Sequence, residues 1–314
     1  MVKSKKINVG ITIGDPNGIG IEVILKSLSD FSIFQDCNFI VYSSLNLIER
    51  QKQYLKIDTP SLRRVNGERD LYDNYINIKE VFSSDKFDFG DPNSKLSALG
   101  ILSLKEATED IKENKIDVLV TAPINKKLSY SKSFEYSGHT DFFKYYFDTD
   151  PLMLMVSDEL RIALLTDHIP LKDVSNVINK NLVEQKIKIL ETCLVNDFQI
   201  NKPKIALLAI NPHAGDDGLI GSEDQSIVIP AINSFEEATS SIHGPFSADT
   251  FFTNRNYKKY DGIIAIYHDQ GLIPFKTISF GKGVNFTAGL PIVRTSPDHG
   301  TGFDIAGRGI ADHT

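Results

Sequence analysis

The sequence predicts an α/β fold with largely parallel strands, in a chain long enough for two closely packed domains. Short β-branched runs alternate with longer segments of helical period, the pattern of strand-helix-strand units. The 314 residues are 41% apolar and 24% charged, the balance of a globular protein of two ordinary-sized domains. No internal repeat, low-complexity tract or long linker separates independent modules.

Taken in order, KINVGITIG reads as a strand and GIGIEVILKSLSD as the helix after it; CNFIVYSS and LNLIERQKQYL repeat the pair. Lys56–Ser94 is polar and rich in turn residues, so loops and short edge strands are expected there. LSALGILSLKEATEDIKENK is helical and leads into the strand IDVLVTAP. PLMLMVSDELRIALLTDH reads as two adjacent strands, followed by one long amphipathic helix from about Leu171 to Asp197. KPKIALLAINPHAGD, a helix near SEDQSIVIPAINSFEEA, the strand DGIIAIYHDQG and the β-rich stretches FKTISF, VNFTAG and PIVRTS complete the chain.

The net charge of -7 and pI near 5.5 lack the basic footprint of a nucleic-acid binder, while a few converging cations can still hold one small anion. Cys37 and Cys193 form no C-x-x-C pair and read as core residues. The basic start carries an apolar segment too short for a signal-peptide core, and no run approaches the ~20 apolar residues of a membrane span. A cytoplasmic location with no membrane partner is expected.

Three of the seven histidines directly follow apolar runs: His168 after RIALLTD, His213 after KIALLAINP and His268 after DGIIAIY. Strand carboxyl ends in open α/β sheets face the ligand crevice, and three imidazoles there would make a site for zinc, cobalt or another divalent ion. Taken singly, each is more often a satisfied structural residue, and their spacing is not a local metal motif.

Thr140, in the segment Ser137-Gly138-His139-Thr140-Asp141, is placed to begin the helix FFKYYF. His139 and Thr140 could form an anion site at that helix start, or Thr140 could be only an N-cap and His139 a surface residue. Arg294 would grip a phosphate or carboxylate with Lys276 and Asn285 beside it; the alternative for each cation is a solvated surface charge. There is no P-loop and no Rossmann fingerprint. The turn from Gly14 to Gly20, with Asp15 and Gly18, suits close approach to a ligand or serves only as a turn. A nucleotide site is better suggested by His299–Ala311, with Gly300, Thr301, Asp304, Ala306 and Gly307, which resembles the cofactor loop of the isocitrate and isopropylmalate dehydrogenases.

VGITIGDPNGIGIEV, TAPINK, SGHTDFF, LLTDHIPLKDV, NPHAGDDGLIGSED, GPFSADTFF, DGIIAIYHDQGLIPFK and VNFTAGLPIVRTSPDHGTGFDIAGRGIAD are similar, in order, to the 4-hydroxythreonine-4-phosphate dehydrogenase family of vitamin B6 biosynthesis, from about Val9 to Asp312. The resemblance implies two α/β/α domains of the isocitrate/isopropylmalate dehydrogenase-like fold, residues 1–128 with 284–314 and residues 129–283, and an active site in the interdomain cleft at a homodimer interface. It implies a divalent metal (zinc, cobalt or magnesium) on His168, His213 and His268 with ligands shared across the dimer. Substrate contacts fall on His139, Thr140, Lys276, Asn285 and Arg294.

The implied reaction is NAD- or NADP-dependent oxidation of the C3 hydroxyl of 4-phosphohydroxy-L-threonine, with loss of carbon dioxide to 3-amino-2-oxopropyl phosphate. The metal would serve as Lewis acid and the nicotinamide as hydride acceptor. The base is unassigned, with Lys276 and Asp269 as candidates; Asp249 and Asp269 could instead orient metal ligands, and Asp249 could be only a helix cap. Two departures from the family stand out: Ile21 replaces the usual Pro after GIG, a mild change in a first helical turn, and the chain stops at Thr314, before the final helix the family usually carries, which bears on dimer packing and cofactor affinity. Competing readings are a paralogous dehydrogenase of D-threonate or D-erythronate 4-phosphate, a three-histidine hydrolase or aldolase, and a silent binding protein.

Overall fold

The computed structural model describes residues 5–131, 134–235 and 240–313. In chain order the strands are β1 (Ile7–Thr12), β2 (Cys37–Ser43), β3 (Leu62–Val65), β4 (Ile76–Glu80), β5 (Val118–Thr121), β6 (Leu152–Val156), β7 (Arg161–Leu164), β8 (Lys204–Leu208), β9 (Ser241–Phe246), β10 (Gly262–Ala265), β11 (Val284–Ala288) and β12 (Val293–Pro297). The helices are α1 (Gly20–Ser27), α2 (Leu45–Leu55), α3 (Ser94–Lys112), α4 (Lys126–Ser129), α5 (His139–Phe147), α6 (Leu171–Val177), α7 (Lys180–Asn196), α8 (Ile229–Asn233), α9 (Ala248–Phe251) and α10 (His268–Ser279). The α/β alternation expected from the sequence is present, and among the described residues no helix is long and apolar enough to cross a membrane.

The chain forms two compact units, Met1–Tyr146 with Pro291–Thr314, and Phe147–Leu290. The expected boundaries at 128/129 and 283/284 gave α5 to the second unit and β11 to the first. Packing assigns them otherwise: Phe142 and Phe143 of α5 are buried against Phe134 and Arg294, while β11 pairs with β6 along its length.

In the first unit the strands run parallel in the order β3-β4-β2-β1-β5-β12. The Lys56–Ser94 stretch supplies the edge strand β3 but also the interior strand β4, because Ile76 and Ile78 alternate into a core with Ile11, Val41 and Leu47. The chain leaving β1 does so where strand order reverses, with β2 on one side and β5 on the other, the place where open α/β sheets receive ligands.

In the second unit the order is β11-β6-β7-β10-β8-β9, antiparallel for the first three strands and parallel for the rest. β6 and β7 form the expected adjacent pair, joined by a turn that the Ser157 hydroxyl caps on Leu160. The long helix expected over 171–197 is two: Ile178 is extended, and the Asn179 side chain accepts from the Leu182 N–H to start α7 afresh. FKTISF is helical, not β; Gly271, Phe275 and Ser279 recur at helical spacing and put the buried face of α10 toward the sheet, overriding the β-branched pair Thr277-Ile278. Of the helix expected near SEDQSIVIPAINSFEEA, Asp224–Val228 is a single π-helical turn leading into α8, and residues 236–238 lie outside the described residues.

Candidate active site

The three histidines leave three adjacent parallel strands. His168 follows β7, His268 follows β10 and His213 follows β8, in the spatial order β7-β10-β8. Cross-links hold the exits together: the Thr166 hydroxyl donates to the Ile266 carbonyl (2.7 Å), and Gln270 donates to the Ala209 carbonyl (2.9 Å) while accepting from the Ile266 N–H (2.6 Å). The His168 and His268 rings lie 5.5 Å apart, centroid to centroid. His268 Nδ1 meets the Asp269 carboxylate at 2.7 Å, which leaves Nε2 for an ion and gives Asp269 an orienting contact.

His213 sits on a left-handed turn in which His213, Ala214, Asp216 and Asp217 all have φ between 44° and 54°, a costly conformation for residues with a Cβ. The buried Asp224 carboxylate stabilises the approach to that turn by accepting from the Ile210 and Asn211 N–H groups (2.7 and 2.9 Å). Among the described residues no three His, Cys, Asp or Glu side chains assemble into a metal cluster, while His168 and His268 approach each other. Asp249 lies in the first turn of α9, accepts from the Ser247 hydroxyl (2.8 Å), and is held below the usual carboxylate range by that bond and, more weakly, by His213.

In the first unit the surface alternative is overturned for Arg294, and His139 is only half-buried. Arg294 is 2% exposed; its Nε donates to the Thr121 hydroxyl (3.1 Å) and its guanidinium covers the Phe143 ring at 5.4 Å. Burial pushes its pKa down to about 9, so this cation has lost most of its hydration. His139 opens α5, so Thr140 is a first-turn residue and not the cap expected. Part of His139 reaches the surface, but its Nε2 is sealed from solvent and has no hydrogen-bond partner among the described residues. Burial, then the charges of Arg294 and Lys126, hold its pKa well below the ordinary value, leaving the ring neutral near pH 7. Lys276, on the exposed face of α10, and Asn285, on β11, belong to the second unit.

The glycine-rich loop at 299–311 is built onto α1 and its preceding turn. A Cβ on Gly18 would stand 2.5 Å from the Thr301 carbonyl, and the Ile19 N–H donates to that same oxygen (2.9 Å). Gly18 is therefore required for packing against the loop. Asp15 is 1% exposed, its oxygens taken by the Ser97 hydroxyl and the Asn17 N–H; it shapes the turn and is not placed to meet a cofactor. Gly307, at φ 76°, lies flat on Phe89. The buried Glu22 accepts from the Ala311 N–H (2.8 Å) and pairs with Lys26 (2.9 Å), whose ammonium also donates to the Gly309 and Ala311 carbonyls. Asp304 is exposed and Ala306 lies on the turn; among the described residues a Cβ on Gly300 would meet nothing within 4 Å and His299 Nε2 is buried without a partner: a cradle with open backbone and an unused polar atom, which fits a nucleotide.

Residues 35–314 match the family described as pyridoxal phosphate biosynthetic protein PdxA. The chain belongs to the PdxA family. It is similar to a 4-hydroxythreonine-4-phosphate dehydrogenase of Bacteroides thetaiotaomicron, 41% identical over 99% of this chain and 86% of that one, and to one of Sulfurihydrogenibium, 39% identical over 98% and 94%. The crystal structure of the Klebsiella pneumoniae 4-hydroxythreonine-4-phosphate dehydrogenase superposes with a TM-score of 0.86 at 31% identity, over 99% of this chain and 94% of that one. In this PdxA chain, sequence reasoning missed the residues that hold the site: Thr121 under Arg294, Asp224 behind the His213 turn, and Glu22 with Lys26 under the glycine-rich loop. Only the i,i+4 spacing of Glu22 and Lys26 could have been read, and it points to a helix pair and not to the loop.

Proposed function

We propose that this protein is a 4-hydroxythreonine-4-phosphate dehydrogenase: it oxidises the C3 hydroxyl of 4-phosphohydroxy-L-threonine with NAD or NADP, the product losing carbon dioxide to 3-amino-2-oxopropyl phosphate. The observation that carries this is a desolvated guanidinium, Arg294, beside a neutral imidazole, His139, whose Nε2 is sealed from solvent, in a chain of this family. A planar fork and a ring N–H are suited to a phosphate monoester. Thr140, Lys276 and Asn285 supply further substrate contacts.

His168, His213 and His268 hold the metal, zinc, cobalt or magnesium, with ligands drawn from both subunits of a homodimer; the 5.5 Å approach of His168 and His268 supports this. Once bound, the metal supplies Lewis acidity at the substrate hydroxyl and the nicotinamide a hydride acceptor. Asp269 orients His268, and Lys276 is the group offered to take the hydroxyl proton. Gly300, Thr301, Asp304, Ala306 and Gly307 contact the cofactor, while Gly18 and Asp15 shape the turn beneath it.

The test is NADH or NADPH formation across a substrate panel, with and without chelator. Activity with 4-phosphohydroxy-L-threonine, abolished by chelation and restored by zinc, cobalt or magnesium, is expected. Turnover of D-threonate or D-erythronate 4-phosphate in its place would overturn the substrate assignment.

A further inference from the structure

We infer that Lys126 is an additional phosphate-binding residue that makes the enzyme selective for phosphorylated over unphosphorylated substrate; this rests on the function proposed above and names one more group at its phosphate site.

Lys126 begins α4, the next element after β5, whose last residue Thr121 accepts a hydrogen bond from Arg294. Its stem crosses Gly138 at the opening of α5: a Cβ there would lie 3.2 Å from Lys126 Cε and 3.8 Å from its Cδ. Gly138 thus gives the lysine a channel one atom deep, and the ammonium, one bond beyond Cε, is delivered beside the first turn of α5. Long cationic side chains lie along surfaces in this way with their heads in water. The first-turn N–H groups of a nine-residue helix lack partners within it and attract anions.

An independent feature points to a ligand at the same place. His139 Nε2 is buried, has no hydrogen-bond partner among the described residues, and feels the charges of both Lys126 and Arg294. Two cations and a helix start converge on one neutral imidazole, and the first-turn acid Asp141 is engaged at the helix opening by the Ser137 N–H, which donates to it (2.9 Å). Burial is the larger reason His139 stays unprotonated, but the charges of Arg294 and Lys126, which also disfavour a proton there, favour an anion beside it. A dianionic phosphate oxygen set can take one bond from each of Arg294, Lys126 and His139, whereas a hydroxyl cannot. Lys126 is exposed and caps no helix; Asn125 does that for α4, so its replacement should not threaten folding.

Lys126→Met keeps the stem and removes the charge. Its KM for 4-phosphohydroxy-L-threonine should rise roughly ten- to a hundred-fold, the worth of one charged hydrogen bond, with kcat and the KM for NAD within about two-fold. Lys126→Arg should recover most of the loss. Inorganic phosphate, titrated calorimetrically into wild type and Lys126→Met in the absence of substrate and NAD, should bind the variant more weakly by a similar factor. An unchanged KM together with unchanged phosphate affinity would overturn the inference, as would a fall in kcat alone. If the wild type fails to oxidise the phosphorylated substrate, the function proposed above fails, and the phosphate titration by itself decides the role of Lys126.

Discussion

Arg294 and His139 show how much one residue's surroundings matter. PIVRTS reads as a strand whose arginine could face water or a ligand, and the deciding neighbours, Thr121 and Phe143, come from distant parts of the sequence. Burial of a cation is invisible to local pattern, whereas the strand-end histidines were legible because each directly follows an apolar run. A pH consequence belongs at this scale. The folded state depresses the His139 pKa below its ordinary value of 6.5, while the unfolded chain takes up a proton near that value. Protons therefore favour unfolding, and this contribution to stability is complete above about pH 6.5 and lost as pH falls toward the folded value. Thermal melts of wild type and His139→Gln between pH 7.5 and 5 should show the steeper fall in wild type; parallel curves would contradict the assignment of a neutral ring.

Among the elements, strands declared themselves through β-branched runs, and the paired β6 and β7 were readable as such. Helix breaks and irregular turns were not: Asn179 restarts α7, and the π-helical turn at Asp224 exists to aim a carboxylate at the backbone before His213. The glycine-rich loop depends on α1 in the same indirect way. Glu22→Ala leaves the buried Ala311 N–H without its acceptor and Lys26 without its carboxylate, a loss of about 1–3 kcal/mol. The expected result is a lower denaturation midpoint, faster amide exchange at Gly309 and Ala311, and a raised KM for NAD with the KM for the phosphorylated substrate unchanged. An equal rise in both would show that the Glu22–Lys26 pair does more than hold the glycine-rich loop.

For the whole molecule, length and composition indicated two units, but their borders were misplaced because Phe142, Phe143 and the β11–β6 pairing are tertiary facts. A single chain brings His168 and His268 within 5.5 Å of each other, and the metal site proposed above draws its ligands from both subunits of a homodimer. Sedimentation should accordingly report a species near twice 35.0 kDa. A monomer that is fully active would refute the shared site.

The first unit is also discontinuous in a way that orders its own birth. β12 pairs with β5, and Ala311 is fastened to Glu22, 289 positions earlier. A ribosome releases the whole of Phe147–Leu290 before it releases those partners. The middle of the gene product can thus settle first, while its amino-terminal half waits, a strand short, for the closing segment to emerge.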